Sequence, residues 1–195
     1  MNILRGFALA QEKALLDGVA QIAARAPFRH LTTPGGHRMS VAMTNCGPLG
    51  WVSDRTGYRY DSLDPDSGRP WPPMPSGFLE LSKKAAEEAG YPGFVPDACL
   101  INRYQPGAKL SLHRDEGDFG APIVSVSLGA DAIFLLGGLK RTDRAERVLL
   151  RHGDVVVLGG EARMRYHGVA PLRPGGDRIN LTFRKAMVVP AKAGT

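Results

Sequence analysis

The sequence predicts a β-rich α+β fold whose core is a jelly roll of two packed β-sheets. Amphipathic helical patterns occur only in the first half of the chain, and short alternating runs of apolar and polar residues fill the second half. About eight short strands separated by turns are typical of a double-sheet jelly roll. The predicted strands span residues 100–104, 109–113, 123–128, 133–136, 147–151, 155–158, 163–167 and 178–184.

Two helices are predicted before this strand-rich region. Leu15, Val19 and Ile22 follow one another at spacings of four and three, which places them on one face of a helix over residues 10–26. A second helical pattern spans residues 76–89 and ends before a glycine and a proline. The first helix is expected to pack its apolar face on a flat surface, and the charged residues of the second are expected to face solvent.

The segment between the helices, residues 31–75, is rich in glycine and proline and contains four aromatic residues, namely Trp51, Tyr58, Tyr60 and Trp71. Such a composition predicts irregular hairpins and loops. Aromatic side chains on loops often form recognition surfaces.

Length and composition predict one globular domain of 195 residues with a frayed tail over residues 188–195. The net charge of +6 favours a polyanionic partner, although charge alone is weak evidence. Cys46 and Cys99 are far apart in sequence and lack the spacing of a zinc knuckle or a disulfide framework. With no secretory or membrane-spanning pattern, the sequence predicts a cytoplasmic protein.

Three side chains are candidate metal ligands. His113 and Asp115 stand two residues apart at the end of a predicted strand, so that an extended backbone directs both to one face. His167 ends a later predicted strand. Two histidines and one carboxylate suit non-haem iron(II), because they leave coordination positions open for a cosubstrate and dioxygen. Short triads of this kind are common by chance, so this one needs support from other residues.

Support comes from the strand over residues 178–184, whose alternation places Arg178 and Arg184 on one face and apolar residues on the other. Two arginines on an inner strand need an acidic partner. No acidic run lies nearby in sequence, and a small dicarboxylate such as 2-oxoglutarate has the required shape and charge. Asn102 and Tyr104, two residues apart, are placed to bind the same ligand. An edge strand with solvated arginines is the alternative.

Several ordered motifs resemble the AlkB family over about residues 3–185. They are DACLINRYQPGAKLSLH from Asp97 to His113, then Asp115, APIVSVSLG, HGDVVV, YHG and RINLTFR, preceded by TPGG at 33–36, MSVAMTNCGPL at 39–49 and Gly50-Trp51. The resemblance implies a double-stranded β-helix core over residues 97–187. It also implies N-terminal helices and a nucleotide-recognition lid within residues 1–96.

The resemblance further implies a role for each candidate residue. Iron(II) ligands would be His113, Asp115 and His167, and 2-oxoglutarate contacts would come from Asn102, Tyr104, Arg178, Asn180 and Arg184. A pocket for the damaged base would use Trp51, Tyr58 and Tyr60, with Arg141 near the nucleic-acid backbone.

The activity implied is oxidative removal of alkyl groups from bases such as 1-methyladenine and 3-methylcytosine. Iron(II), dioxygen and 2-oxoglutarate would be consumed with release of succinate, carbon dioxide and formaldehyde. Alkylated DNA, preferably single-stranded, is the expected partner, with RNA as a further possibility, and the protein is expected to act as a monomer.

Three departures from the family pattern bear on substrate preference. Residues 116–120 form a shorter segment than in the best-known bacterial members, where this segment supplies a carboxylate near the base, and Glu116 and Asp118 are the candidates to replace it. His37 stands where the family has a tyrosine, and the loop over residues 173–177 is shorter.

Two other functions remain open from the residues alone. One is an iron(II) and 2-oxoglutarate hydroxylase that acts on a protein, lipid or small molecule. The other is a non-catalytic jelly-roll binding module in which the triad holds a structural metal or none.

Overall fold

The computed structural model describes residues 1–115 and 121–186. Two α-helices, α1 (Glu12–Arg25) and α2 (Ser76–Glu88), are present in these residues. The described strands are β1 (Asn2–Leu4), β2 (Arg29–Thr32), β3 (Arg38–Cys46), β4 (Gly50–Asp54), β5 (Gly57–Asp61), β6 (Ala98–Tyr104), β7 (Leu110–His113), β8 (Ile123–Gly129), β9 (Ala132–Leu136), β10 (Glu146–Leu150), β11 (Val155–Leu158), β12 (His167–Val169) and β13 (Arg178–Arg184).

Two antiparallel sheets form the core. The larger has seven strands in the order β1-β11-β8-β13-β6-β3-β2, and the smaller has four in the order β10-β9-β12-β7. A separate ribbon pairs β4 with β5. The predicted jelly-roll core is confirmed, and β13 is an inner strand bonded to β8 on one side and β6 on the other.

The larger sheet is covered by the helices on one face and by the smaller sheet on the other. Leu181 and Phe183 of β13 are buried with residues of α1 and α2, including Leu15 and Phe78. The Phe78 and Phe183 rings meet edge to face with centroids 6.1 Å apart. The opposite face of β13 therefore points between the two sheets, which is where the candidate site lies.

Both helices lie close to their predicted bounds, and their apolar faces are buried. Leu15, Val19 and Ile22 of α1 are in the core, as their spacing predicts. Gly18 allows the helices to approach closely, because a Cβ there would lie 2.8 Å from Cε1 of Phe78. The buried apolar face of α1 follows the spacing of its apolar residues, so this helix could be predicted from the sequence.

Two predicted assignments differ from the structure. Residues 163–167 were predicted as a strand, but Gly160–Met164 forms a 3-10 helix and β12 begins only at His167. Gly160 has a positive φ of 54°, which turns the chain out of the extended conformation. The segment 31–75, predicted as loops and hairpins, also contains the nine-residue strand β3, which pairs with β6 from Ala42 to Cys46. The residues of β3 do not alternate regularly between polar and apolar, so the sequence did not predict this strand. Its last four residues are nevertheless buried.

Candidate metal centre and cosubstrate pocket

The three candidate metal ligands converge at the open end of the smaller sheet. His113 is the last residue of β7 and His167 the first of β12, and the two are direct partners in the β7–β12 ladder. Asp115 follows β7 by two residues. One ligand atom from each of the three lies within 4.8 Å of the others. Nε2 of His113 is 3.3 Å from Oδ1 of Asp115, and Nε2 of His167 is 4.0 Å from Oδ2.

Both imidazole rings are oriented by main-chain carbonyls. Nδ1 of His113 lies 3.0 Å from the carbonyl oxygen of Ser111, and Nδ1 of His167 lies 3.2 Å from that of Arg165. A carbonyl oxygen can only accept, so Nδ1 carries the proton in each neutral ring. Nε2 of each ring is then left with its lone pair towards Asp115, as a metal ligand requires.

The electrostatics favour the metal-binding protonation states of Asp115 and His167, but not that of His113. Burial raises the pKa of Asp115, but the charge of Arg184 and the contact with His113 outweigh burial and hold the pKa well below its ordinary value. Burial lowers the pKa of His167 to about 4. Burial also lowers the pKa of His113, yet the contact with Asp115 outweighs it and the net shift is upward. An ionised carboxylate and a neutral imidazole are the forms that bind a metal cation.

The donor set fits iron(II). Two imidazole nitrogens and one carboxylate on one side of an ion leave the other side free for small ligands, the arrangement of non-haem iron oxygenases. His113 keeps 34% of its side chain exposed, while Asp115 keeps 10% and His167 9%. The cluster is therefore buried on the side of Asp115 and His167 and reachable on the side of His113.

A cluster of buried cationic and polar side chains, the candidate cosubstrate pocket, lies near the triad on the inner face of β13. The Arg178 guanidinium lies 5.1 Å from the centroid of the Tyr104 ring, and its Nη2 donates to Oγ of Ser127 at 3.0 Å. Nε and Nη1 of Arg178, together with Oδ1 of Asn102, meet no hydrogen-bond partner among the residues that the structure describes. Buried unpaired donors of this kind call for an anionic ligand. The alternative of an edge strand with solvated arginines is excluded, because Arg178 is only 1% exposed.

Arg184 has an acidic partner that the local sequence does not show. Its Nε and Nη2 donate to Oδ2 of Asp115 at 2.7 and 2.6 Å. Arg178 therefore has no carboxylate partner among the described residues, whereas Arg184 pairs with a carboxylate that lies far away in the sequence. The remaining nitrogen of Arg184, Nη1, has no partner in the described part of the chain. Arg184 thus lies between the metal triad and the pocket, with one donor left for a ligand.

Asn180, the other candidate on this face, is already bonded within the protein. Its Nδ2 donates to Oγ of Ser125 at 2.8 Å and to the carbonyl of Val126 at 2.9 Å, and its Oδ1 accepts from Oγ1 of Thr182 at 2.8 Å. A contact from Asn180 to 2-oxoglutarate stays a prediction.

The candidate base-binding residues share one face of the β4–β5 ribbon. Trp51 is the cross-strand partner of Tyr60, and Tyr58 follows on the same face two residues away. The Trp51 and Tyr58 rings stack with centroids 5.7 Å apart and an angle of 16°. Asn45 holds the main chain of Trp51 through two hydrogen bonds of 3.0 Å. The ribbon therefore presents a fixed aromatic surface, of which Tyr58 is 53% exposed.

Charges at the metal triad affect the Tyr60 hydroxyl. Burial raises the pKa of its hydroxyl, the charges of Arg184 and Arg163 lower it, and that of Asp115 raises it further. These influences place the Tyr60 side chain within electrostatic reach of the triad. The other candidate, Arg141, is exposed in the connection between β9 and β10.

The positions that depart from the AlkB pattern are partly described. His37 is exposed in a tight turn, where its amide donates to Oγ1 of Thr33 at 3.1 Å. In the 173–177 loop, Gly175 and Gly176 have positive φ, and Asp177 pairs with Arg103 at 2.7 Å. The segment 116–120 and the tail 188–195 lie outside the described residues.

Sequence reasoning missed two features of this region. Arg163 is buried beside the triad, but the strand predicted there gave no reason to single it out. Cys46 and Cys99, remote in sequence, are direct cross-strand partners in β3 and β6 and are free thiols. The correct register of β3 against β6 would have revealed the second feature.

The comparisons with known proteins agree with this geometry. The family model of the 2OG-Fe(II) oxygenase superfamily matches residues 1–184. The chain belongs to this superfamily and is an enzyme that uses iron(II), 2-oxoglutarate and dioxygen. A non-catalytic binding module is thereby excluded.

Within this class the chain is a member of the AlkB family. It is 57% identical over 192 residues to the alpha-ketoglutarate-dependent dioxygenase AlkB of Escherichia coli K12, covering 94% of this chain and 89% of that protein. It is 36% identical over 131 residues to the nucleic acid dioxygenase ALKBH1 of Mus musculus, covering 66% of this chain and 33% of that protein. The solved structure of OsALKBH1 superposes with a TM-score of 0.79 at 27% identity, covering 94% of this chain and 96% of that one.

Proposed function

We propose that this dioxygenase removes alkyl groups from N-alkylated bases, such as 1-methyladenine and 3-methylcytosine, in DNA, with RNA as a second candidate substrate. The observation that carries the proposal is the aromatic face of Trp51, Tyr58 and Tyr60 on a chain that also brings His113, Asp115 and His167 together. The AlkB relative and the mouse nucleic acid dioxygenase support nucleic acid as the substrate class.

Each part of the site has a distinct task in the proposed reaction. His113, Asp115 and His167 would hold iron(II), and Arg178, Asn102 and Tyr104 would bind and orient 2-oxoglutarate. When bound, iron and 2-oxoglutarate supply the oxidation of the N-alkyl carbon by dioxygen, with succinate, carbon dioxide and formaldehyde as products. Asn180 and the remaining donor of Arg184 would contact the same ligand, and Arg184 would also keep Asp115 ionised and in place.

The aromatic face suits a cationic, flipped-out base. Methylation at N1 of adenine or N3 of cytosine blocks pairing and adds positive charge, so the damaged base leaves the stack more easily than a normal one. Stacking on Trp51 and Tyr58 would contribute about 1 to 3 kcal/mol per base, and the electron-rich indole favours a cation further. Arg141, exposed on the β9–β10 connection, is proposed to contact a phosphate.

The decisive experiment follows the mass of a methylated oligonucleotide. Single-stranded DNA with one 1-methyladenine is incubated with the protein, iron(II), ascorbate and 2-oxoglutarate, and mass spectrometry is expected to show loss of the methyl group. Asp115→Ala, which removes a proposed iron ligand, should be inactive. Consumption of 2-oxoglutarate by the wild-type protein with every methylated base left intact would instead favour the alternative, a hydroxylase of proteins or small molecules.

Three finer properties are part of the proposal. Single strands should be preferred, because no duplex has to be opened before a base reaches the ribbon. The protein should act as a monomer, since one chain supplies every proposed site residue. The free thiols of Cys46 and Cys99 support a reducing compartment such as the cytoplasm. In the described residues, none of the helices has the length and apolar character needed to span a membrane.

A further inference from the structure

Asp115 occupies a part of the chain that the sheet itself does not hold. Strand β7 ends at His113, and Asp115 lies two residues beyond that end. A residue past the last strand position lacks the regular ladder bonds that fix a backbone. Its carboxylate must nevertheless face both imidazoles at 3.3 and 4.0 Å.

Two arginines from different segments hold Asp115 at two points. Arg184 of β13 bonds the carboxylate. Arg163 of the 3-10 helix Gly160–Met164 donates from Nη1 to the main-chain carbonyl oxygen of Asp115 at 3.1 Å. The first contact restrains the ligand oxygens, and the second restrains the backbone that carries them.

The position of Arg163 is itself well defined. It is 2% exposed and ranks among the largest fully buried side chains of the described residues. The 3-10 helix follows Gly159, where a Cβ would lie 2.1 Å from Cζ of Tyr91, so the chain must pass close to that ring. His167 comes four residues after Arg163. One short segment therefore provides both a proposed iron ligand and the guanidinium that restrains another.

We propose that Arg163 is a positioning residue for the metal, which fixes the main chain of Asp115 so that its carboxylate and the imidazole of His167 meet the same ion. The inference rests on the iron ligands assigned under the proposed function. Burial of a guanidinium is costly, and an apolar side chain of similar volume would fill the same space without that cost. A geometric task at the metal site accounts for an arginine at this position.

The alternative is that Arg163 only fills space, and the two roles predict different behaviour. Loss of a partner that orients a metal ligand typically weakens metal binding by about 10- to 100-fold. Loss of a space-filling side chain lowers the stability of the protein and leaves the metal affinity of the folded fraction unchanged. Metal affinity therefore separates the roles, and it can be measured without nucleic acid or turnover.

The test compares the full-length wild type with Arg163→Met, Arg163→Lys and the control Arg5→Met. Arg5 likewise donates to a main-chain carbonyl, that of Leu149, but holds none of the proposed metal ligands. Each protein is titrated with iron(II) and 2-oxoglutarate under nitrogen, the charge-transfer absorption band is followed, and circular dichroism reports folding. Arg163→Met is expected to bind iron about 10- to 100-fold more weakly with a shifted band, Arg163→Lys to fall between it and the wild type, and Arg5→Met to match the wild type.

Wild-type iron affinity and an unchanged band in folded Arg163→Met would overturn the inference. If Arg163→Met does not fold, Arg163→Lys provides the test. Wild-type iron affinity in Arg163→Lys would then overturn the inference. Asp115→Ala is titrated alongside. Iron binding lost in Asp115→Ala but intact in the Arg163 variants refutes only the positioning role, whereas wild-type binding in Asp115→Ala refutes the ligand assignment as well.

Discussion

Two arginines on the inner face of β13 have different partners, and this difference separates their expected effects. Arg178 contacts Tyr104 and Ser127 and keeps two buried nitrogens without a partner among the described residues. Arg184 is bonded to Asp115 through two of its nitrogens. Arg178 is therefore available to a ligand, while Arg184 mainly serves the metal triad.

Substitution of Arg178 should impair 2-oxoglutarate binding alone. A hydrogen bond to a charged group contributes about 1.5 to 3 kcal/mol, so Arg178→Met is expected to raise the KM for 2-oxoglutarate by roughly 10- to 150-fold. Iron affinity should stay at the wild-type value. Steady-state kinetics and anaerobic iron titration measure the two quantities.

Arg184→Met should instead weaken the binding of both iron(II) and 2-oxoglutarate, because it leaves the Asp115 carboxylate buried without its cation. Arg103→Met is a suitable control, since Arg103 is exposed on neighbouring β6 and pairs with Asp177. Equal effects of Arg178→Met and Arg184→Met on iron affinity would contradict this division of roles.

Trp51 should contribute to binding of the damaged base and not to turnover of 2-oxoglutarate. Trp51→Ala removes the stacking surface shared with Tyr58 and is expected to weaken binding of a methylated oligonucleotide by about 1 to 3 kcal/mol. Turnover of 2-oxoglutarate without substrate should remain measurable, and Trp51→Phe should retain part of the binding. Loss of both substrate binding and uncoupled turnover in Trp51→Ala would indicate a structural role instead.

At the scale of elements, the angle of the β4–β5 ribbon is set by contacts at its base. Nε1 of the buried Trp71 donates to the carbonyl of Asp61 at 3.0 Å, and the Trp71 ring packs against Gly50. The Arg29 guanidinium lies 5.5 Å from the Trp71 ring centroid and pairs with the buried Asp64. Gly50 and Asp61 are cross-strand partners, so Trp71 contacts both strands where the ribbon leaves the core.

Gly50→Ala should therefore disturb the ribbon. A Cβ at this position would lie 2.3 Å from Cε2 of Trp71, and overpacking of this kind typically costs about 1 to 3 kcal/mol. Urea denaturation measures the loss, and substrate KM should rise because the aromatic face is displaced. Gly77→Ala in α2 is the matched control, since a Cβ there meets no atom within 4 Å. A Gly50→Ala protein as stable as the control would show that the contact relaxes easily.

At the scale of the whole molecule, the N-terminal half contributes directly to the main sheet. Strand β1 pairs with β11 and β3 pairs with β6, while both helices cover the face that carries Leu181 and Phe183. The predicted boundary between residues 1–96 and the core at 97–187 therefore crosses the seven-stranded sheet. We expect the chain to unfold as one unit.

A fragment of residues 97–195 should accordingly fail to fold. It would expose the apolar face of β13 and an unpaired edge of β6. Circular dichroism and chemical denaturation are expected to show no cooperative transition, whereas the full chain should show one. A cooperative transition of the isolated fragment would establish the catalytic core as an independent domain.

The net charge of +6 gives a prediction for nucleic-acid affinity. Affinity for single strands should fall linearly on a log–log plot against salt, with a slope of about −0.7 per neutralised phosphate. Arg141→Gln should reduce the slope by the amount expected for about one phosphate contact. It should also weaken binding to all sequences equally. Arg25→Gln, exposed on α1, tests whether any arginine has this effect. Identical slopes for both variants and the wild type would remove Arg141 from the phosphate path.

The sequence by itself determined the features that depend on local periodicity. The apolar spacing of Leu15, Val19 and Ile22 gave α1, and the alternation of residues 178–184 placed both arginines on the inner face. The spacing of His113 and Asp115 at a strand end, with His167 at the end of a later strand, predicted the metal cluster, and the structure brings the three side chains together. Local patterns are readable because they reflect the geometry of a single helix or strand.

Only the tertiary structure decided which remote side chains meet. The pairing of Arg184 with Asp115, the contact of Arg163 with the Asp115 carbonyl and the approach of Cys46 to Cys99 join segments far apart in the chain. Strand order and register fix these contacts, and neither follows from the periodicity of one strand. The sequence thus determined which residues face the space between the sheets, and packing of the two sheets determined what each of them contacts there.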